Sequence, residues 1–97
     1  MILGGVSEAR PATPEIQEIA NKVRPQLEAR TSEKYEKFEA VEYKSQFVAG
    51  RNYFIKMDVG CGCFLHIKVY RAHSGKDNFE LHGYQMNKTK TDELTYF

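Results

Sequence analysis

The chain has 97 residues, and its 14 Lys and Arg side chains nearly balance 13 Asp and Glu side chains, which gives a formal net charge of +1. Proteins that bind nucleic acids or acidic membranes carry a marked positive excess, so we predict that neither is a partner. A chain of this length can form one small hydrophobic core, and 41% hydrophobic residues is typical of a folded globular protein. The sequence therefore predicts a single domain over residues 1–97.

The first twelve residues show no periodic apolar face, and they contain Gly4, Gly5 and Pro11. This composition predicts a mobile N-terminal arm over residues 1–12. The segment also lacks the basic and apolar regions of a secretory signal, and no stretch of the sequence resembles a membrane span. From these features we predict a cytoplasmic protein.

A helix is predicted to begin directly after the arm. Thr13 can cap a free amide, Pro14 lacks the amide that would be left without a partner, and Glu15 suits the positive end of the helix. Apolar residues then recur at helical spacing: Ile16, Ile19, Ala20, Val23 and Leu27. A one-sided stripe of this kind predicts a helix that lies on a flat apolar surface.

The apolar period changes from 3.6 to 2 beyond Ser32, and four strands follow. The clearest alternation runs through Tyr53, Ile55, Met57 and Val59, and Leu65, Ile67 and Val69 repeat it after a glycine turn. We interpret this alternation as antiparallel strands with one covered face. A slip of the pattern predicts a bulge at Gly83, and residues 94–97 are predicted to dock on the sheet. One helix followed by hairpin-linked strands predicts an α+β fold with an antiparallel sheet.

Few residues offer catalytic chemistry. Cys63 and His66 are three residues apart on one strand, so their side chains should point to opposite faces. Asp92 and Glu93 are adjacent in a terminal segment, where acidic pairs are usually solvated. Cys61 and Cys63 would close a very small, strained disulfide ring, and a zinc site would need two further ligands. We predict no cofactor, no metal site and no enzymatic activity; a small thiol enzyme that uses Cys63 is a third-ranked alternative.

The segment Gln46-Phe47-Val48-Ala49-Gly50 is apolar where a hairpin turn should be polar. Two interpretations stay open from the residues alone. In the first, a strand continues inward with Phe47 and Val48 buried. In the second, an exposed apolar tip enters the groove of a partner.

Three segments of the sequence resemble the stefins, which are the type 1 cystatins. They are Gly4-Gly5, Pro11-Ala12-Thr13-Pro14-Glu15-Ile16-Gln17 and Gln46-Phe47-Val48-Ala49-Gly50. The resemblance covers essentially the whole chain. It implies a cystatin-like fold, an antiparallel sheet of about five strands wrapped around one α-helix, with a short first strand near Glu8 to Arg10.

The resemblance also implies a function, which is reversible, tight-binding inhibition of papain-like cysteine proteases such as cathepsins. In stefins a wedge made of the N-terminal arm and two hairpin loops blocks the active-site cleft. The implied protease-binding residues are Ile2, Leu3 and Gly4 in the arm, Gln46, Phe47, Val48, Ala49 and Gly50 in the first loop, and Ala72, His73, Ser74 and Gly75 in the second.

The sequence departs from the family pattern in both loops. Stefins usually carry Val where this chain has Phe47, and Leu-Pro where it has His73-Ser74. A cystatin-fold interaction module with weak or lost inhibition is therefore the alternative function. The tight loop that ends at Gly50 also predicts that the monomer can convert to a domain-swapped dimer.

Overall fold

The computed structural model describes residues 7–48, 50–72 and 78–97, without the side chains of residues 47 and 48. The elements in chain order are β1 (Arg10–Pro11), α1 (Pro14–Thr31), β2 (Glu39–Val48), β3 (Gly50–Asp58), β4 (Phe64–Ala72) and β5 (Phe79–Lys88). The strands form one antiparallel sheet in the order β1-β2-β3-β4-β5. The predicted α+β fold, with five antiparallel strands and one helix, is confirmed.

Helix α1 begins and packs as its sequence predicts. The Thr13 hydroxyl accepts a hydrogen bond of 3.3 Å from the backbone N–H of Ile16, and Pro14 occupies the first turn. At the other end, Ser32 takes a left-handed conformation with a φ of 57° and terminates the helix. All five residues of the predicted apolar stripe are buried against the sheet. No helix in the described ranges is long and apolar enough to span a bilayer.

Two glutamines of α1 hold the helix to the sheet. The Gln17 Nε2 donates a 2.9 Å hydrogen bond to the Phe38 carbonyl, and its Oε1 accepts one of 2.7 Å from the Ala40 N–H. Gln26 makes the equivalent pair of hydrogen bonds to β5. Each side-chain amide thus donates to one backbone carbonyl and accepts from one backbone N–H, as the backbone of a neighbouring strand would. These hydrogen bonds fix α1 at the start of both β2 and β5.

Gln26→Met is expected to lower the free energy of unfolding by about 1–3 kcal/mol, because two part-buried backbone groups lose their partners. These groups are the Phe79 carbonyl, 3.2 Å from Nε2, and the Leu81 N–H, 2.9 Å from Oε1. Urea unfolding followed by circular dichroism measures the loss. The matched control is Glu18→Met on the exposed face of the same helix, and an equal effect of the two substitutions would contradict the assigned role.

Strand β3 is covered on both faces, whereas the sequence predicted one covered face. Its helix-side residues Tyr53, Ile55 and Met57 belong to the core, as predicted. On the opposite face Phe54 and Lys56 are also buried. The prediction of an open face was wrong because the C-terminal segment, residues 89–97, folds back over that side of the sheet.

The C-terminal segment is held by one buried ammonium group and by aromatic contacts. The Lys56 Nζ donates to the carbonyls of Lys90 and Asp92, at 2.9 and 2.6 Å, and lies 3.3 Å from a Glu42 carboxylate oxygen. These oxygens allow Lys56 to be buried, since a buried charge needs partners that replace water. Leu94 is 1% exposed, so the predicted docking of the chain end is confirmed.

The described part of the N-terminal segment, residues 7–12, lies along β2. The Ser7 N–H donates to the Ser45 carbonyl at 2.8 Å, and the Ala12 N–H donates to the Val41 carbonyl at 3.0 Å. The short first strand implied by the resemblance is found at Arg10–Pro11. Apolar periodicity could not reveal it, because a two-residue strand has no period and its partner is distant in sequence.

Three irregularities interrupt the strand register. The register shifts between Lys68 and Val69 opposite Gly83 and Leu81, which confirms the predicted bulge near Gly83. Two further shifts, between Ala40 and Glu42 and between Phe64 and His66, were not predicted. A bulge adds one residue to one strand and thereby moves the following side chains to the other face.

Candidate binding edge of the sheet

Two loops begin side by side at one end of the sheet. Strands β2 and β3 pair as far as Val48 and Gly50, so a single residue separates them. Gly50 also pairs with Ala72, the last residue of β4. We call the end formed by Val48, Gly50 and Ala72 the binding edge. The connection from β2 to β3 and the chain after Ala72 both start from it.

The N-terminal segment points to the same edge. Pro11 pairs with Glu42 and Arg10 with Tyr43, and Ser7 bonds to Ser45. Because this segment runs antiparallel to β2, its lower-numbered residues lie nearer the binding edge. Ser7, the first described residue, is therefore the closest to it.

The first hairpin is braced below its tip. Gln46 and Asn52 face each other across β2 and β3, and the Asn52 Nδ2 donates a 2.9 Å hydrogen bond to the Gln46 Oε1. Both side chains are buried, which ties the amide of Gln46 into the hairpin. Gly50 has a φ of 138°, a conformation that L-residues with a Cβ rarely adopt.

The backbone of residues 46–48, Gly50 and Ala72 is thus placed at or near the binding edge. This supports a strand that continues through the apolar segment, while the burial of the side chains of Phe47 and Val48 lies outside what the structure describes. The remaining predicted protease-binding residues are also outside the described ranges: Ile2, Leu3, Gly4, Ala49, His73, Ser74 and Gly75.

Cys63 and His66 do not form a nucleophile and base. Cys63 is exposed near the β3–β4 turn, whereas the His66 side chain is fully buried on the face that the C-terminal segment covers. Neither ring nitrogen of His66 has a hydrogen-bond partner among the described residues. A base must reach the proton that it abstracts, and His66 does not.

The environment of His66 disfavours its protonated form. The charges that act on the His66 ring are the positive charges of Lys56 on β3 and Lys88 on β5, and the negative charges of Glu42 on β2 and Asp92 in the C-terminal segment. Burial, reinforced by the two lysines, lowers the pKa of His66 to about 4. His66 is therefore a neutral core residue at pH 7, and apart from its place on a strand no sequence feature signals this role.

Of the acidic pair Asp92-Glu93, only Asp92 has a structural role in the described residues. The Asp92 carboxylate accepts a 2.7 Å hydrogen bond from the Thr89 N–H, and this hydrogen bond lowers the pKa of Asp92. Glu93 is exposed. Within residues 7–48, 50–72 and 78–97 there is also no group of three or more His, Cys, Asp or Glu side chains that could hold a metal ion.

One helix packed on a five-stranded antiparallel sheet matches the fold implied by the stefin resemblance. Residues 4–91 match the family model of the cystatin domain. The chain is 75% identical to Stefin-1 and 70% identical to Cystatin-A, both from Mus musculus, over 97 residues that cover the whole of each protein. It is 59% identical over 99 residues to Leukocyte cysteine proteinase inhibitor 1 from Sus scrofa, with 100% of this chain and 95% of the relative covered.

The chain therefore belongs to the cystatin family, in its stefin group. The predicted likeness to stefin A is confirmed by these identities. Stefins and cystatins are protease inhibitors and not enzymes, which agrees with the prediction of no enzymatic activity.

Proposed function

We propose that this protein is a reversible, tight-binding inhibitor of papain-like cysteine proteases, cathepsins among them, and that it blocks their active-site cleft with the binding edge. The observation that carries the proposal is that Val48, Gly50 and Ala72 lie at one end of the sheet, and that the N-terminal segment, bonded at Ser7 to Ser45, lies along β2 toward that end. Membership of the cystatin family supports it, as does the name of the porcine relative, Leukocyte cysteine proteinase inhibitor 1.

In this proposal the three segments lie on both sides of the catalytic cysteine of the protease. Ile2 and Leu3 fill the unprimed subsites, and Phe47 and Val48 fill the primed side together with residues 72–75. Gly4 lets the arm pass the active site where a Cβ would clash. No carbonyl of the inhibitor then has to lie in near-attack geometry, so the inhibitor is not cleaved. The interface should be of standard size, roughly 1,600 Å² in total.

The described residues supply a rigid base for this wedge. The hydrogen bond between Asn52 and Gln46 and the pairing of Gly50 with Ala72 hold the two loops in one relative position. An inhibitor that is already ordered loses less conformational entropy on binding, and this raises its affinity.

Titration of papain of known active-site concentration tests the proposal. The intact monomer should inhibit stoichiometrically and reversibly, and a variant that lacks residues 1–4 should bind at least about tenfold more weakly because apolar anchors are lost. Glu18→Met, on the exposed face of α1, is the control and should inhibit like the parent. Absence of inhibition by the folded monomer would reject the proposal and favour a cystatin-fold interaction module, the alternative motivated by His73-Ser74.

We further propose that the monomer is the inhibitory state and that its location is cytoplasmic. Only one residue separates β2 from β3, so an extended residue 49 would merge the two strands into one. A domain-swapped dimer formed in this way would remove the first hairpin from the binding edge. The titration therefore uses the monomer fraction from gel filtration.

A further inference from the structure

Three sulfur-containing side chains line one groove at the end of the sheet opposite the binding edge. The groove has a volume of about 520 Å³, and Cys61, Cys63 and Met86 are among its lining residues. They include both cysteines of the chain and one of its three methionines. We propose that this groove is a binding site for Cu(I), held by the thiolates of Cys61 and Cys63 with the Met86 thioether as a third donor.

The β3–β4 turn fixes the backbone that carries the two thiols. Gly60, Cys61 and Gly62 all have left-handed backbones, with φ of 92°, 56° and 72°. The Cys63 N–H donates to the Gly60 carbonyl at 2.9 Å, and the Val59 N–H donates to the Cys63 carbonyl at 3.1 Å. The turn is therefore closed by backbone hydrogen bonds, and a single residue separates two exposed cysteines.

A single intervening residue suits a bridging metal better than a disulfide. A disulfide requires sulfurs about 2.05 Å apart, which closes a small and strained ring when one residue lies between the cysteines. A metal between two thiolates holds the sulfurs roughly 4–5 Å apart, about twice a metal–sulfur bond of about 2.3 Å. Each thiol loses its proton to solvent when its metal–sulfur bond forms.

The donor set selects the metal. Structural zinc sites take four protein ligands, and no group of three or more His, Cys, Asp or Glu suited to a metal occurs in the described parts of the chain. Thiolates and thioethers are soft ligands, and they favour Cu(I). Two thiolates and one thioether on a monovalent soft cation are therefore the combination that this groove offers.

The surroundings of the groove suit such a complex. Cu(I) with two thiolates carries one net negative charge, and Lys34 and Lys88 line the same groove. Nearby ammonium groups would offset the negative charge of such a complex. The buried residues Tyr35, Phe64 and Leu65 form an apolar wall of the groove. Such a wall limits the access of solvent to the metal. The site and the binding edge lie at opposite ends of β3, which has nine residues. The length of this strand separates them by roughly 27 Å.

An anaerobic titration with Cu(I), supplied as its acetonitrile complex against the chelator bicinchoninate, tests the proposal on the full chain. We expect one Cu(I) per monomeric chain. Cys61→Ser and Cys63→Ser should each weaken binding by about 100-fold, and Met86→Leu by about tenfold. Met57→Leu is the matched control, since Met57 is a buried methionine away from the groove and should leave Cu(I) binding unchanged.

Four results would overturn the proposal. They are no Cu(I) retained against the chelator, single-cysteine variants that bind like the parent, Zn(II) bound as tightly as Cu(I), or one Cu(I) shared by two chains. If a serine variant fails to fold, alkylation of both thiols in the folded parent replaces it. Circular dichroism then verifies the fold, and Cu(I) binding should be lost; retention of Cu(I) would count against the site.

Discussion

Phe54→Ala is expected to lower the free energy of unfolding by about 3–5 kcal/mol, because it opens a cavity in a fully buried position. Phe54 lies on the face of β3 that the C-terminal segment covers. Its ring centroid is 5.7 Å from that of Tyr96 and 5.6 Å from that of Phe97, and the Lys68 Nζ lies 5.8 Å from it. Small domains are stable by only about 5–15 kcal/mol, so this loss is a large part of the total.

Urea unfolding measures this loss, and digestion with carboxypeptidase reports whether the C-terminal segment is released. Two controls separate the contributions. Phe54→Leu keeps an apolar side chain and should cost less, and Tyr96→Ala removes a ring that is 61% exposed and should cost under about 1 kcal/mol. If Phe54→Ala cost no more than Tyr96→Ala, Phe54 would not anchor this face of the sheet.

Acid should destabilise the protein through His66 by about 3 kcal/mol between pH 6.5 and pH 4. The folded-state pKa of His66 is lowered to about 4, whereas the unfolded value is near 6.5. In this window the unfolded chain binds a proton that the folded protein does not bind, so stability falls as the pH falls. The loss is complete below the folded pKa, where His66 is protonated in both states.

Urea unfolding at a series of pH values tests this result, with His66→Leu as the variant that cannot titrate. The variant should lose most of the pH dependence between pH 6.5 and pH 5. Hydrogen bonds and nearby lysine or arginine charges lower the pKa of Glu28, Asp58 and Asp92. The stability that these three carboxylates contribute is therefore lost only at lower pH. The exposed His82 gives the control His82→Leu. An unchanged slope in His66→Leu would show that other groups cause the acid sensitivity.

Local signals predicted much of the fold. Thr13 and the apolar stripe predicted α1, and the slipped alternation predicted the bulge near Gly83. The second covered face of β3 was missed because Lys56 reads as a solvent-exposed residue. Lys56 is buried only because carbonyls of the C-terminal segment and a carboxylate on β2 replace its water. Partners so far apart in sequence leave no periodic pattern.

The candidate site was predictable only where a local pattern marked it. The apolar composition of residues 46–50 marked the first loop as unusual. That the N-terminal segment leads toward the edge at which Ala72 lies depends on strand register, which no local pattern specifies. The resemblance implied this arrangement, whereas the residues alone did not.

The order of the strands has a consequence for how the protein folds. Strands β2 to β5 are neighbours in sequence as well as in the sheet, and each connection between them has six residues or fewer. Short connections cost little loop-closure entropy, so these hairpins can form early, whereas β1 must find β2 across the whole of α1. The N-terminal segment thus joins a sheet that is able to form without it. In the proposed function, substitutions before Ser7 would therefore retune partner choice while the folding of the domain stays the same.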